Sequence, residues 1–255
     1  MLFDSHAHLD DSRYNQDRDH IVEAARESGV KYILNPGADI ASSVKAVNLA
    51  EKYQMIYAAV GVHPHDVNDM DQNTLEILRS LTNKNKVVAI GEIGLDYYYN
   101  HSPRDVQKEW FRKQVILAKE VKLPVIIHDR DAHQDVFDVL REYNAGEYGC
   151  VMHCYSGSVE LAKEYIKLGI YISIAGPLTF KNAKKTHEVA KEIPLEWLLV
   201  ETDSPYLTPM PYRGKRNEPG YVKHVVEAIA EAKGITFQEV AEHTTSNAMK
   251  LFRIK

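Results

Sequence analysis

Hydrophobic residues fall along this chain with two alternating spacings. Short runs rich in Val and Ile, nearly continuous in apolar character, cover about residues 31–35, 55–62, 86–90, 124–128, 149–153, 170–174 and 197–201, and a more polar first strand covers about 3–8. Between most of them lie longer stretches whose apolar residues recur every three or four positions, at about 17–28, 40–53, 72–81, 131–143 and 159–168, plus a long stretch opened by Pro103 that carries Trp110, Val115, Leu117 and Val121. The first spacing predicts strands, and runs without polar alternation predict strands covered on both faces, as in parallel sheets. The second predicts helices, with Gly29 standing where the first would end. Two more helices, about 221–233 and 237–252, follow the last strand after a proline-rich loop at 204–218. Trp110 and Trp197 read as core.

Eight strands separated by helical stretches, with no linker, repeat or low-complexity segment, predict an α/β fold of the TIM (β/α)8 barrel type, a single domain spanning 1–255. An open doubly wound sheet would place a glycine-rich phosphate loop after its first strand, whereas here that strand ends in histidines. The length suits a one-domain barrel.

A barrel enzyme concentrates its chemistry at the C-terminal ends of its strands. The first predicted strand ends in Asp4-Ser5-His6-Ala7-His8, the third in Gly61-Val62-His63-Pro64-His65, and the fourth in Gly91-Glu92-Ile93-Gly94-Leu95-Asp96. The fifth ends in His128-Asp129, the sixth in His153, and the eighth in Glu201-Thr202-Asp203-Ser204-Pro205. His6 and His8, two apart on a strand, face the same side about 7 Å from each other, a spacing suited to gripping a transition metal. One such residue is an ordinary polar strand end; their recurrence at one rim points to metal. His6, His8, Glu92, His128, His153 and Asp203 are the expected ligands. Four imidazoles and two carboxylates are what two divalent ions about 3.5–4 Å apart require, with water filling open positions. Glu92 is the candidate bridge between the ions, and Asp203 the candidate catalytic base that orients metal-activated hydroxide. Gly91 and Gly94 leave room beside Glu92. Glu201, on the same strand face as Asp203, is expected behind a ligand histidine.

Charge changes the picture in one respect. A net charge of -5 excludes a protein that coats nucleic acid by bulk electrostatics, so any polyanion must be held locally. No basic-then-apolar signal segment opens the chain and no apolar run could span a bilayer, so the expectation is a soluble cytoplasmic protein without a membrane role. Cys150 and Cys154, about 13 Å apart on a predicted strand, are expected to be reduced thiols. His20, His101, His133, His187, His224 and His243 read as surface or packing residues.

The motifs at the strand ends, together with Ile127-His128 and Met152-His153-Cys154, resemble the TatD family of metal-dependent deoxyribonucleases, within the amidohydrolase superfamily. The resemblance runs the full length and shows no departure at a metal position. It implies a TIM barrel, a divalent-metal site on the same six residues, hydrolysis of phosphodiester bonds in DNA, and exonucleolytic trimming of single-stranded ends.

A phosphodiester also needs cationic or N–H partners for its free oxygens. The densest basic cluster, Pro211-Tyr212-Arg213-Gly214-Lys215-Arg216-Asn217-Glu218-Pro219, follows the eighth strand and makes Arg213 and Arg216 the expected phosphate ligands, with Lys215 behind them and His63 as a further contact. The three tyrosines after Asp96 offer faces for an unpaired base. Histidine-rich donors favour Zn, Mn or Ni over Mg, the ion usually supplied to nucleases of this resemblance. An amide or ester hydrolase, for instance on aminoacylated nucleic acid, would use the same site. A sugar isomerase would want a lysine among the strand ends, and a purely structural metal site would be closed rather than open. No obligate protein partner is implied.

Overall fold

Each crossover in the chain carries a helix, so successive strands run parallel. The computed structural model describes residues 1–255. Its eight strands are β1 (Leu2–Asp4), β2 (Val30–Pro36), β3 (Ile56–Val60), β4 (Val87–Asp96), β5 (Val125–Arg130), β6 (Cys150–Met152), β7 (Tyr171–Ile174) and β8 (Leu198–Val200), each paired in parallel with the next in chain order. The ring is drawn together between β8 and β1: Ser5 N donates to Val200 O at 3.0 Å, Asp203 N to His6 O at 2.9 Å and His8 N to Ser204 O at 2.7 Å. A parallel bridge between Ala7 and Ser204 lies in the same seam. This is the TIM barrel expected.

The helices are α1 (Arg18–Glu27), α2 (Ile40–Lys52), α3 (Gln72–Leu81), α4 (Arg104–Val121), α5 (His133–Glu142), α6 (Val159–Lys167), α7 (Lys184–Glu192), α8 (Val222–Lys233) and α9 (Phe237–Leu251). Asp39 and Asp71 cap α2 and α3 by accepting from Ser42 N and Thr74 N, and Gly234 ends α8 in the left-handed conformation. The sequence pattern passes over α7, whose only buried residues are Val189 and Ala190, too few to mark a stripe. Trp197 stands half-buried in a 3-10 turn before β8 rather than starting that strand. No helix is long and apolar enough to cross a membrane.

Two apolar clusters result from the side-chain alternation of the strands. The larger packs the outer strand faces against the helices, and the smaller unites Phe3, Leu34, Ile126, Val151 and Leu199 with Leu251 and Phe252 at the end of α9. Strand residues two positions further on share that inner face. Above Ile126, Val151 and Leu199 they are His128, His153 and Glu201. An apolar plug thus floors a polar site, and burying each of its large side chains contributes about 1.5–3 kcal/mol to holding the floor.

Candidate metal centre

β1 ends at Asp4, so His6 and His8 lie beyond the regular strand. The seam with the segment after β8 holds them extended instead, and their Nε2 atoms stand 3.1 Å apart. The same seam brings in Asp203, whose Oδ1 lies 3.8 Å from His6 Nε2 and 3.5 Å from His8 Nε2. Its φ of 53° places Asp203 in the left-handed region, which Asp tolerates better than most residues. Glu92 sits within β4, where the register against β5 shifts between Ile90 and Ile93. That irregularity places it beside both neighbouring groups. Glu92 Oε2 is 3.3 Å from His6 Nε2 and 3.7 Å from His8 Nε2, while Oε1 is 2.9 Å from His128 Nδ1 and 3.0 Å from His153 Nε2.

All six expected ligands therefore meet in one cluster, divided by the Glu92 carboxylate. Four donors about 2.1 Å from one ion stand about 3.4 Å from each other in a tetrahedron. His6, His8, Asp203 and Glu92 Oε2 show that spacing, with no Lys or Arg among them, and the donor set fits a divalent ion. His63, expected to touch phosphate, has its Nε2 3.5 Å from Glu92 Oε1, close enough to offer a further donor on the His128 side.

The electrostatics follow from this crowding. Burial alone would raise the Glu92 pKa, but the imidazoles of His153, His63 and His6 outweigh it and hold the carboxyl well below its ordinary value. Burial likewise opposes ionisation of Asp203, yet its hydrogen bond with His8 and the charges around it keep it below the usual carboxylate range. Burial lowers His6, reinforced by His153, so this imidazole is neutral and ready to donate a lone pair. His8, desolvated but paired with Asp203, is pushed up to about 9. His63 is lowered to about 4 by burial.

Two carboxylates stand behind the second group of imidazoles. Glu201 Oε1 accepts from His153 Nδ1 at 3.1 Å and from Cys154 N at 2.8 Å, the place expected for it. Asp96 Oδ2 accepts from His128 Nε2 at 3.1 Å and from His65 Nε2 at 2.8 Å. Each carboxylate fixes a tautomer and turns the other ring nitrogen toward Glu92. Sequence reasoning gave Asp96 no such role, although it follows Gly94 by two on β4 and Gly94 pairs with His128. The freedom of Gly91 and Gly94 serves strand packing rather than an ion. A Cβ on Gly91 would come within 2.7 Å of Ile126 Cβ, and one on Gly94, at φ 147°, would meet the His128 carbonyl.

The centre opens into a cavity of about 630 Å³. The basic loop does not line it. Arg216 is engaged elsewhere: its guanidinium pairs with Asp17 at 2.6 and 3.0 Å, donates to Arg13 O and lies over the Tyr14 ring. Arg213 stacks 4.3 Å over Phe180, and Lys215 lies 5.8 Å from the Tyr212 ring. A run of charge in sequence carries no information about such partners. The one Lys or Arg that does line the cavity is Arg130, two residues beyond His128 on β5. His101, read as a surface residue, stands edge-on to His65 at 4.7 Å. Cys150 is buried in β6, and Cys154, with a left-handed φ of 42°, lines the cavity; both are free thiols.

Known proteins share this architecture from end to end. Residues 3–253 match the family described as TatD related DNase. An uncharacterized metal-dependent hydrolase of Bacillus subtilis, YabD, is 53% identical over 254 residues, covering all of both chains. The 3'-5' ssDNA/RNA exonuclease TatD of Salmonella typhimurium is 36% identical, covering 99% of each chain. The crystal structure of the TatD homologue YJJV from Escherichia coli superimposes with a TM-score of 0.94 at 32% identity, covering 100% of this chain and 98% of that one. With the fold, the donor cluster and a match along nearly all its length in agreement, the chain belongs to the TatD related DNase family of metal-dependent hydrolases.

Proposed function

We propose that this protein hydrolyses phosphodiester bonds in DNA, at single-stranded ends, with two divalent ions held on either side of Glu92. The observation that carries the reading is the division of Glu92, with Oε2 turned to His6 and His8 and Oε1 to His128 and His153. Ions bound there supply charge neutralisation at a phosphoryl group and lower the pKa of water. His6, His8 and Asp203 would hold one, and His128 and His153 the other. Asp203, ionised at neutral pH, orients the attacking water and accepts its proton. Glu201 and Asp96 keep the His153 and His128 rings aimed at Glu92. The donor set favours zinc, manganese or nickel over magnesium. Support for nucleic acid as substrate comes from the Salmonella relative, named a single-stranded DNA and RNA exonuclease.

A second reading keeps the site and cleaves an amide or ester. The observation in its favour is that the basic loop is turned to other partners, leaving Arg130 as the cavity's one Lys or Arg. The test supplies purified protein with Mg²⁺, Mn²⁺ or Zn²⁺ and follows a labelled single-stranded oligonucleotide, a duplex and an aminoacyl ester in parallel. Shortening of the single strand is expected, with Asp203→Asn slowing it at least 100-fold. Unchanged hydrolysis in that variant refutes the role of Asp203, and turnover of the ester alone selects the second reading.

A further inference from the structure

Arg130 is the last residue of β5 and makes no ion pair, although six carboxylates, Asp10, Asp11, Glu92, Asp96, Asp129 and Asp203, line the same cavity. Strand alternation places it on the same side as His128, about 7 Å further out along the strand, while Asp129 between them accepts from His133 Nδ1 at 2.8 Å. The guanidinium lies 4.8 Å from the centre of the Tyr98 ring, which meets Tyr99 edge-on. Tyr99 is 58% exposed, lines the cavity and stacks on His101 at 13° between planes. Its ring forms no hydrogen bond; its backbone N–H makes the contact to Asp96 Oδ1, at 2.8 Å. A cation without a carboxylate partner, resting on Tyr98, and an exposed aromatic face thus flank the opening, one step outside the imidazoles.

We infer that Arg130 and Tyr99 form a subsite for the nucleotide next to the scissile bond of a single strand, the guanidinium taking that nucleotide's phosphate and the Tyr99 ring stacking on its base. The inference rests on the phosphodiester reading above. Its chemistry is general: a guanidinium offers paired donors to phosphate oxygens, and a base stacks on an aromatic ring whatever its sequence. Arg130 then does what the basic loop was expected to do, and from inside the cavity.

The experiment compares wild type with Arg130→Gln, Tyr99→Leu and Tyr99→Phe, all Mn²⁺-loaded. The substrates are a fluorescein-labelled single-stranded oligonucleotide and methyl 4-nitrophenyl phosphate, a diester with neither a neighbouring phosphate nor a base. Arg130→Gln and Tyr99→Leu are each expected to raise KM for the oligonucleotide about tenfold with kcat within about twofold of wild type. Neither should alter hydrolysis of the small diester, Tyr99→Phe should match wild type, and Arg130→Gln should flatten the salt dependence by about one counterion. Unchanged KM for the oligonucleotide, or equal losses on both substrates, overturns the subsite. If wild type cleaves neither diester, the phosphodiester reading falls, and anisotropy binding of the oligonucleotide decides the subsite separately. About tenfold weaker binding by both variants upholds it, whereas equal binding by variants and wild type, or no binding by wild type, overturns it.

Discussion

Replacing Glu201 with Gln tests whether a group that touches no expected ion controls one of the two sites. Glu201 is 1% exposed and its Oε1 accepts from His153 Nδ1 and Cys154 N. A glutamine carbonyl can accept both bonds, so the ring keeps its orientation and only the charge is lost. Two full charges 3.1 Å apart interact by about 5 kcal/mol at an effective dielectric of 20. A metal-polarised imidazole carries a fraction of a charge, which brings the expected loss to about 1.4–2.7 kcal/mol, or 10- to 100-fold in affinity at the His128–His153 side. The His6–His8–Asp203 side should keep its affinity. A second effect is separable: the new amide N–H₂ would occupy the place of Glu201 Oε2, which is buried without a partner, at a cost of about 1–3 kcal/mol in stability. Chelator-competition titration with Zn²⁺ reads the two affinities, thermal unfolding of metal-free protein reads the stability, and NMR reads the His153 pKa. That pKa is burdened by burial but lifted well above its ordinary value by Glu92 and Glu201, so it should fall in the variant. Equal weakening of both sites, or wild-type affinity at both, would refute the division of the cluster at Glu92.

Two further outcomes are expected. Asp4, buried against Thr202, has its carboxyl pushed up to about 8 by desolvation despite accepting from Thr202 N and Oγ1. An unfolded Asp titrates near 3.9, so between about pH 4 and 8 the folded state holds a proton the unfolded state has lost, and stability falls as pH rises through that window. In urea titrations of metal-free protein at pH 5 and pH 8, Asp4→Asn should shrink the fall by a few kcal/mol; an equal fall in both proteins would show that Asp4 is ionised throughout. Arg216→Ala removes a partly exposed pair with Asp17 and should cost about 0–1 kcal/mol, leaving KM for an oligonucleotide unchanged, and a rise in KM would return the basic loop to the substrate.

What could be read from the sequence is what strand periodicity carries. Hydrophobic runs located seven of the eight strands and the paired histidines the first, and the rule that barrel chemistry gathers at the C-terminal ends picked out six residues that the structure brings into one cluster. The means of convergence were not legible. His6 and His8 are aligned by backbone bonds to a segment almost two hundred residues later, and Glu92 by a register shift inside β4 that no local pattern announces. Side-chain partners were the least legible of all. Arg216 looked available because Asp17, on the far side of the sequence, is its partner only in the fold; Arg130 stood alone in sequence and is the cation in the cavity.

The two halves of the cluster also differ in what holds them. His128 stands on β5 and His153 directly follows β6, strands joined by a continuous ladder that His153 N extends by donating to Ile127 O, so their spacing is set by the sheet. His6, His8 and Asp203 instead span the join between the start and the end of the barrel, where an isolated bridge and bonds between irregular segments stand in place of a ladder. Asp4 and Thr202 clasp that join directly beneath the histidines, and Asn217 donates to Thr202 O from the proline-rich loop. A seam held by a few bonds between irregular segments opens more readily than a continuous ladder. The His6–His8–Asp203 side is therefore the one whose geometry depends on barrel closure, and an ion bound there would join the two ends of the barrel by linking β1 to β8.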